Sequence, residues 1–114
     1  AGAMNNENTV YLAGKITGDP EYKQKFEAAC RELERAGYIV LNPATLPETG
    51  FEYAAYIRIS KAMMDECAQV CFLPDWKDSN GAMYEYGRAA AHGKPFFFFE
   101  QWHRATFPEV ADGE

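Results

Sequence analysis

Short apolar runs alternate with longer amphipathic stretches along this chain. "TVYLAG" (residues 9–14) is β-branched and aromatic and ends at glycine, the pattern of a buried strand. In residues 21–37, "EYKQKFEAACRELERAG", the apolar positions Tyr22, Phe26, Ala29, Cys30 and Leu33 recur at three- and four-residue steps, which predicts a helix closed by Gly37. "YIVLNP" (38–43) is a second strand stopped by Asn42-Pro43, residues 51–67 a second helix, and "AQVCFLP" (68–74) a third strand. Residues 79–92 predict a third helix closed at His92-Gly93, and "KPFFFFE" (94–100) a fourth, buried strand. Residues 101–114 have no clear period and predict an irregular tail or an interface arm.

Strands that alternate with helices over short connections are forced to run parallel, with right-handed crossovers. The expected fold is α/β: a doubly wound parallel sheet of four or five strands with helices on both faces, flavodoxin- or Rossmann-like. A chain of 114 residues accommodates one domain, taken as 5–114, with "AGAM" (1–4) read as a cloning remnant before a start Met4.

The net charge of −6 disfavours a non-specific grip on a nucleic-acid polymer, which needs clustered Lys and Arg. It leaves room for a small nucleotide held by one or two local cations. The cysteines Cys30, Cys67 and Cys71 are odd in number and lie in apolar segments, which fits buried free thiols in a reducing cytoplasm. No Cys-x-x-Cys pair occurs and His92 and His103 are far apart in sequence, so neither a metal nor another cofactor is expected. No apolar run is long enough to span a membrane. A small acidic domain rich in aromatics keeps much of its surface outside its core, and a homodimer or larger homo-oligomer is expected.

Ligands of open parallel sheets bind beyond the carboxyl ends of the strands, where strand order reverses. The helix predicted at that edge carries "DSNGAMYEYG", with Glu85 between Tyr84 and Tyr86 and glycines at 81 and 87. Each glycine costs a helix roughly 1 kcal/mol relative to alanine. Ser79 precedes Glu85 by a run that spans about 9 Å of helix, so Ser79 would face the mouth and Glu85 lie deeper. Gly81 and Ala82 leave room for a ligand against the first turn, whose free N–H groups favour an anion. Equally, Ser79 is simply an N-cap and the glycines let the helix pack closely on the sheet. Lys15 either meets a phosphate or is a solvated loop lysine. Arg58 serves a phosphate or pairs with Asp65, the pairing being preferred. Trp76 and Tyr53 stack on a nucleobase or pack on protein. "GKITG" is not a P-loop, and no dinucleotide fingerprint is present.

The segments "VYLAGKITG", "AGYIVLNPATLP", "YIRISKAM" and "FLPDWKDSNGAMYEYGRAAAHGKP" together resemble the nucleoside 2-deoxyribosyltransferase-like superfamily over residues 9–99, above all its small phage- and prophage-associated branch of unassigned function. The Ser-x-Gly-x-x-x-Glu spacing of Ser79, Gly81 and Glu85 is also similar to that of the deoxynucleoside-monophosphate N-glycosidases. The resemblance implies cleavage of an N-glycosidic bond, or deoxyribosyl transfer, on a nucleoside or nucleoside 5′-monophosphate. Glu85 would be the nucleophile and form a glycosyl-enzyme intermediate. Ser79 would meet the 5′ end, Tyr11 and Gly14 would line the sugar and base pocket, and Lys15, Ser60, Asp78 and Gly81 complete the implied binding set. The superfamily commonly borrows residues across subunits. The chain departs from it where an Asp is usual on the second helix: Ser60 stands there. Asp65 falls on another face of that helix, and Asp75 or Asp78 in the next loop could substitute. The departure keeps a second reading open, a non-catalytic nucleotide-binding protein that sequesters or senses its ligand. An assembly protein using the fold only for contacts fits the polar loops at one edge least well.

Overall fold

The first strand, β1 (Thr9–Ala13), is the spine of the sheet. In the computed structural model, which describes residues 6–108, β1 pairs in parallel with both β2 (Ile39–Leu41) and β3 (Gln69–Phe72). β3 pairs in parallel with β4 (Phe96–Phe98), so the strand order is β2-β1-β3-β4. The order reverses between β1 and β3. The four strands are joined by α1 (Tyr22–Arg35), α2 (Tyr53–Glu66) and α3 (Asn80–Ala91), with single 3-10 turns at Pro43–Thr45 and Trp76–Asp78. The reading of residues 1–4 lies outside the described residues, as does the end of the predicted tail from 109 onward.

Period-two alternation along the central strands sends neighbouring side chains to opposite faces. Val10 and Leu12 of β1, with Cys71 and Leu73, join Phe26, Ala29 and Leu33 of α1 in one core. Tyr11 and Ala13, with Val70 and Phe72, join Met64 of α2 and Ala89 of α3 in the other. The sheet is therefore covered on both faces, as the strand–helix alternation requires. α1 ends as its Gly37 predicts. Gly37 takes φ +101°, and the Tyr38 N–H reaches back 3.0 Å to the Leu33 carbonyl, closing a glycine C-cap.

The tail differs from its expectation. Phe99–Thr106 forms a further helix, α4, rather than an irregular arm. Its Trp102 packs edge-on to Tyr38 and tilted to Phe97, each at a ring distance of 6.0 Å, on the α1 side of the sheet. His103 Nε2 lies 2.9 Å from Glu32 Oε1 of α1. The period was hidden because Phe99, its first apolar member, sits in the "FFFF" run and reads as strand. That run is also less buried than expected: the strand stops at Phe98, and all three of its residues are half-buried at the sheet edge. Among the described residues, no helix is long and apolar enough to cross a membrane.

Candidate functional site

The strand order reverses between β1 and β3, and the loop after β1 meets the loop after β3 at that edge. Tyr11 stands just below it, on the β1 face that turns toward α2 and α3, and is only 2% exposed. Its phenol donates a 2.7 Å hydrogen bond to Glu85 Oε2. Glu85 lies in the second turn of α3, half-buried. Ser60 of α2 approaches the same phenol, and its hydroxyl contact favours the ionised form of Tyr11. Three residues of the expected set, from three separate elements, thus converge.

Burial dominates the electrostatics of this cluster. It raises the Glu85 carboxyl to about 7, while the hydrogen bond from Tyr11 pulls the other way and moderates the rise. Burial, then the neighbouring Glu85 charge, pushes Tyr11 well above the usual phenol range. Tyr11 therefore remains a donor at neutral pH, and Glu85 exchanges its proton near pH 7. A carboxylate held in this way can accept a proton or attack an electrophilic carbon.

α3 begins at the same edge. Ser79 is its N-cap, and Ser79 Oγ accepts the Ala82 N–H at 3.0 Å. Among the described residues, Gly81 has no packing reason. A Cβ there would come no nearer than 3.8 Å to Ser79 Oγ, and one at Gly87 would meet nothing within 4 Å. Close packing of these glycines on the sheet is thereby excluded, and the first turn of α3 stays open beside Gly81. Asp78, the last residue of the 3-10 turn, is exposed.

Gly14 and Lys15 are governed by the protein's own contacts. A Cβ on Gly14 would lie 2.9 Å from Leu73 Cδ1 and 3.2 Å from Asp75 Oδ1, so only glycine lets the two loops come together here. The Lys15 N–H donates to Asp75 Oδ1 at 3.1 Å, and the Lys15 carbonyl accepts from Lys25 Nζ at 2.9 Å. Lys25 also bonds Asp19 Oδ2 at 2.6 Å and pairs with Asp75 Oδ2. Lys25 falls in none of the sequence motifs that point to the site. Its signal is a position on the inward shoulder of α1, three residues after Tyr22 and next to buried Phe26.

Two expectations change. Asp65 pairs with Arg88 of α3, at 3.1 and 3.0 Å, and with Lys61, not with Arg58, which is exposed. The four-residue step from Lys61 and the facing surface of α3 put those cations nearer. Asp75 is not available to replace the missing Asp, because both its oxygens are engaged by Lys15 and Lys25. Trp76 stacks on Tyr86 at 4.7 Å and tilts onto Phe72, packed half-buried against the core beneath α3, whereas Tyr53 is 65% exposed. Burial pushes the Cys30 and Cys67 thiols up to about 11, and Cys71 higher still, so none is an activated nucleophile. Among the described residues, no group of three or more His, Cys, Asp or Glu is placed to hold a metal ion. An open depression is lined by Asp19, Pro20, Glu21, Gln24 and Lys25, and Glu85 is not part of it.

Residues 8–98 match the family described as a domain of unknown function, DUF4406. No curated protein matches the chain. Among solved structures, a 2-desoxiribosyltransferase from Leishmania mexicana superposes with a TM-score of 0.62 at 20% sequence identity. The match covers 80% of this chain but only 63% of that one, so the chain spans under two thirds of its length. At this identity the likeness is one of fold.

Proposed function

The chain belongs to the DUF4406 family, a domain of unknown function, and we propose that it cleaves the N-glycosidic bond of a nucleoside or nucleoside 5′-monophosphate, with water or a second base as acceptor. The observation that carries this reading is the Tyr11–Glu85 hydrogen bond of 2.7 Å at the reversal point of the sheet. A half-buried carboxylate oriented by a buried phenol is the group that such chemistry needs. The likeness of fold to a 2-desoxiribosyltransferase supports it.

Tyr11 engages Oε2, and in this reading the attack comes from Oε1 of ionised Glu85. The Oε1–C1′ bond forms as the C1′–N bond breaks, and the bonding pair leaves with the base. Solvent protonates the departing base. Water then attacks C1′ of the glycosyl ester, loses its proton and returns the carboxylate; a second nucleobase nitrogen in place of water completes a transfer. Ser79 and Gly81 receive the 5′ end at the open first turn of α3, with Gly14 and Lys15 above the sugar and Asp78 at the rim. Ser60 approaches Tyr11 and does not supply the second carboxylate.

That last feature favours one alternative, a protein that binds a nucleotide without cleaving it. The deciding experiment incubates wild type and Glu85→Gln with a panel of nucleosides and 5′-monophosphates and assays free base. Release by wild type that Glu85→Gln abolishes supports the enzyme. Tight binding without release supports the sequestering protein, and neither binding nor release sinks both. A homo-oligomer belongs to the same proposal. The outward side of α3 carries Met83, 43% exposed, and Tyr84, 51% exposed, which supports an apolar contact between copies. Light scattering that reports a monomer at micromolar concentration would refute it.

A further inference from the structure

Lys25, on α1, meets both loops that leave the carboxyl ends of β1 and β3. An ammonium carries three N–H donors. Those of Lys25 meet the Lys15 carbonyl at 2.9 Å, Asp19 Oδ2 at 2.6 Å, and Asp75 Oδ2. With its donors engaged, Lys25 has none left for a ligand, and it cannot be a phosphate-binding cation at this edge. Asp75 closes the ring by accepting the Lys15 N–H through its other oxygen. The Leu73 N–H to Ala13 carbonyl bond, 2.8 Å, and the tight fit of Gly14 on Leu73 lie directly beneath. The carboxyl ends of β1 and β3 are thus tied together at the point where the strand order reverses.

The tie reaches further along the chain. Asp75 starts the 3-10 turn: its carbonyl accepts the Asp78 N–H at 2.9 Å, and the Trp76 carbonyl accepts the Ser79 N–H at 3.2 Å. These bonds make 75–79 a short, stiff lever that ends on the N-cap of α3. Side chains only 24–27% exposed keep the ion pairs partly shielded from solvent. From this geometry we infer that Lys25 is a positioning residue: through Asp75 it sets the separation of loops 14–19 and 74–79, and so the placement of Ser79 and Gly81 that receive the ligand. The ligand part of this inference rests on the glycosidic reading; the clamp itself does not.

The test compares wild type with Lys25→Met, which keeps the stem and removes the charge, and with Lys25→Arg, which restores the charge. Amide hydrogen exchange is followed in 14–19 and 74–79, and calorimetry measures binding of the common 2′-deoxyribonucleoside 5′-monophosphates. Lys25→Met should speed exchange at the Lys15 amide and weaken nucleotide binding, each by about tenfold, as for loss of one charge-assisted hydrogen bond. Where base release is measurable, KM should rise by a similar factor with kcat nearly constant. Lys25→Arg should recover most of both. Thermal unfolding identifies a folding failure, and Asp19→Asn, which removes only the outer arm, then serves as the milder variant with smaller changes of the same sign. Unchanged exchange, faster exchange without weaker binding, or a fall in kcat at constant KM would each overturn the assignment. If wild type binds none of the nucleotides, the glycosidic reading has failed, and exchange alone decides whether Lys25 is the clamp.

Discussion

The Tyr11 phenol and the Glu85 carboxylate, 74 residues apart in sequence, meet in a 2.7 Å hydrogen bond between the central strand and α3. Each perturbs the other. The phenol lowers the proton affinity that burial raises at Glu85, and the Glu85 charge raises that of Tyr11. The outcome is a carboxyl that titrates at about 7 beside a phenol that stays protonated.

Glu85→Gln tests the nucleophile. The amide retains the shape and can still accept from Tyr11, so the fold and ligand binding should persist. Base release should fall by roughly three orders of magnitude or more, because the covalent step loses its attacking group. Release within tenfold of wild type would remove Glu85 from the chemistry.

The pH dependence follows with a definite sign. If ionised Glu85 attacks, kcat should climb as pH rises through about 7 and then level. Stability should move in the opposite sense. Between about 4.5, where an ordinary Glu ionises, and about 7, the unfolded chain releases this proton and the folded chain keeps it. Folding therefore weakens as pH rises through that window, by roughly 1–3 kcal/mol in total. Denaturant titrations of wild type and Glu85→Gln at pH 4.5 and pH 8 measure this. The variant should gain stability relative to wild type only at the higher pH.

Tyr11→Phe removes the hydrogen bond that opposes the burial effect at Glu85. The rising limb of the kcat profile should shift to higher pH, and stability should drop by about 1–2 kcal/mol, more above pH 7 than below. A profile that loses amplitude without moving would mean that Tyr11 acts only by packing.

Glycine positions offer a contrast within one fold. Gly14→Ala places a Cβ 2.9 Å from Leu73 Cδ1 and 3.0 Å from Leu73 Cβ, and should destabilise by about 1–3 kcal/mol. Gly87→Ala meets nothing within 4 Å and should stabilise the isolated chain by about 0.5–1 kcal/mol. Thermal melts rank the two. If α3 packs closely against another copy, Gly87→Ala should also reduce the mass seen by light scattering.

The architecture was legible because local periodicity and short connections carry it. Alternating strand and helix patterns leave no topology but parallel pairing with covered faces, and the observed order β2-β1-β3-β4 obeys this. The spacing from Ser79 to Glu85 likewise survives into α3, since one helix preserves the separation of its own residues. Contacts between elements are another matter. Nothing near Tyr11 in sequence says that its phenol will find Glu85 and Ser60; the sheet register and the seating of α2 and α3 decide that. The same holds for Asp75, a free candidate in sequence that the fold commits to Lys15 and Lys25, and for Asp65, which it commits to Arg88. Periodicity is written residue by residue and is read from the chain alone. Which charge meets which partner depends on packing between distant segments, and only the tertiary structure decides it.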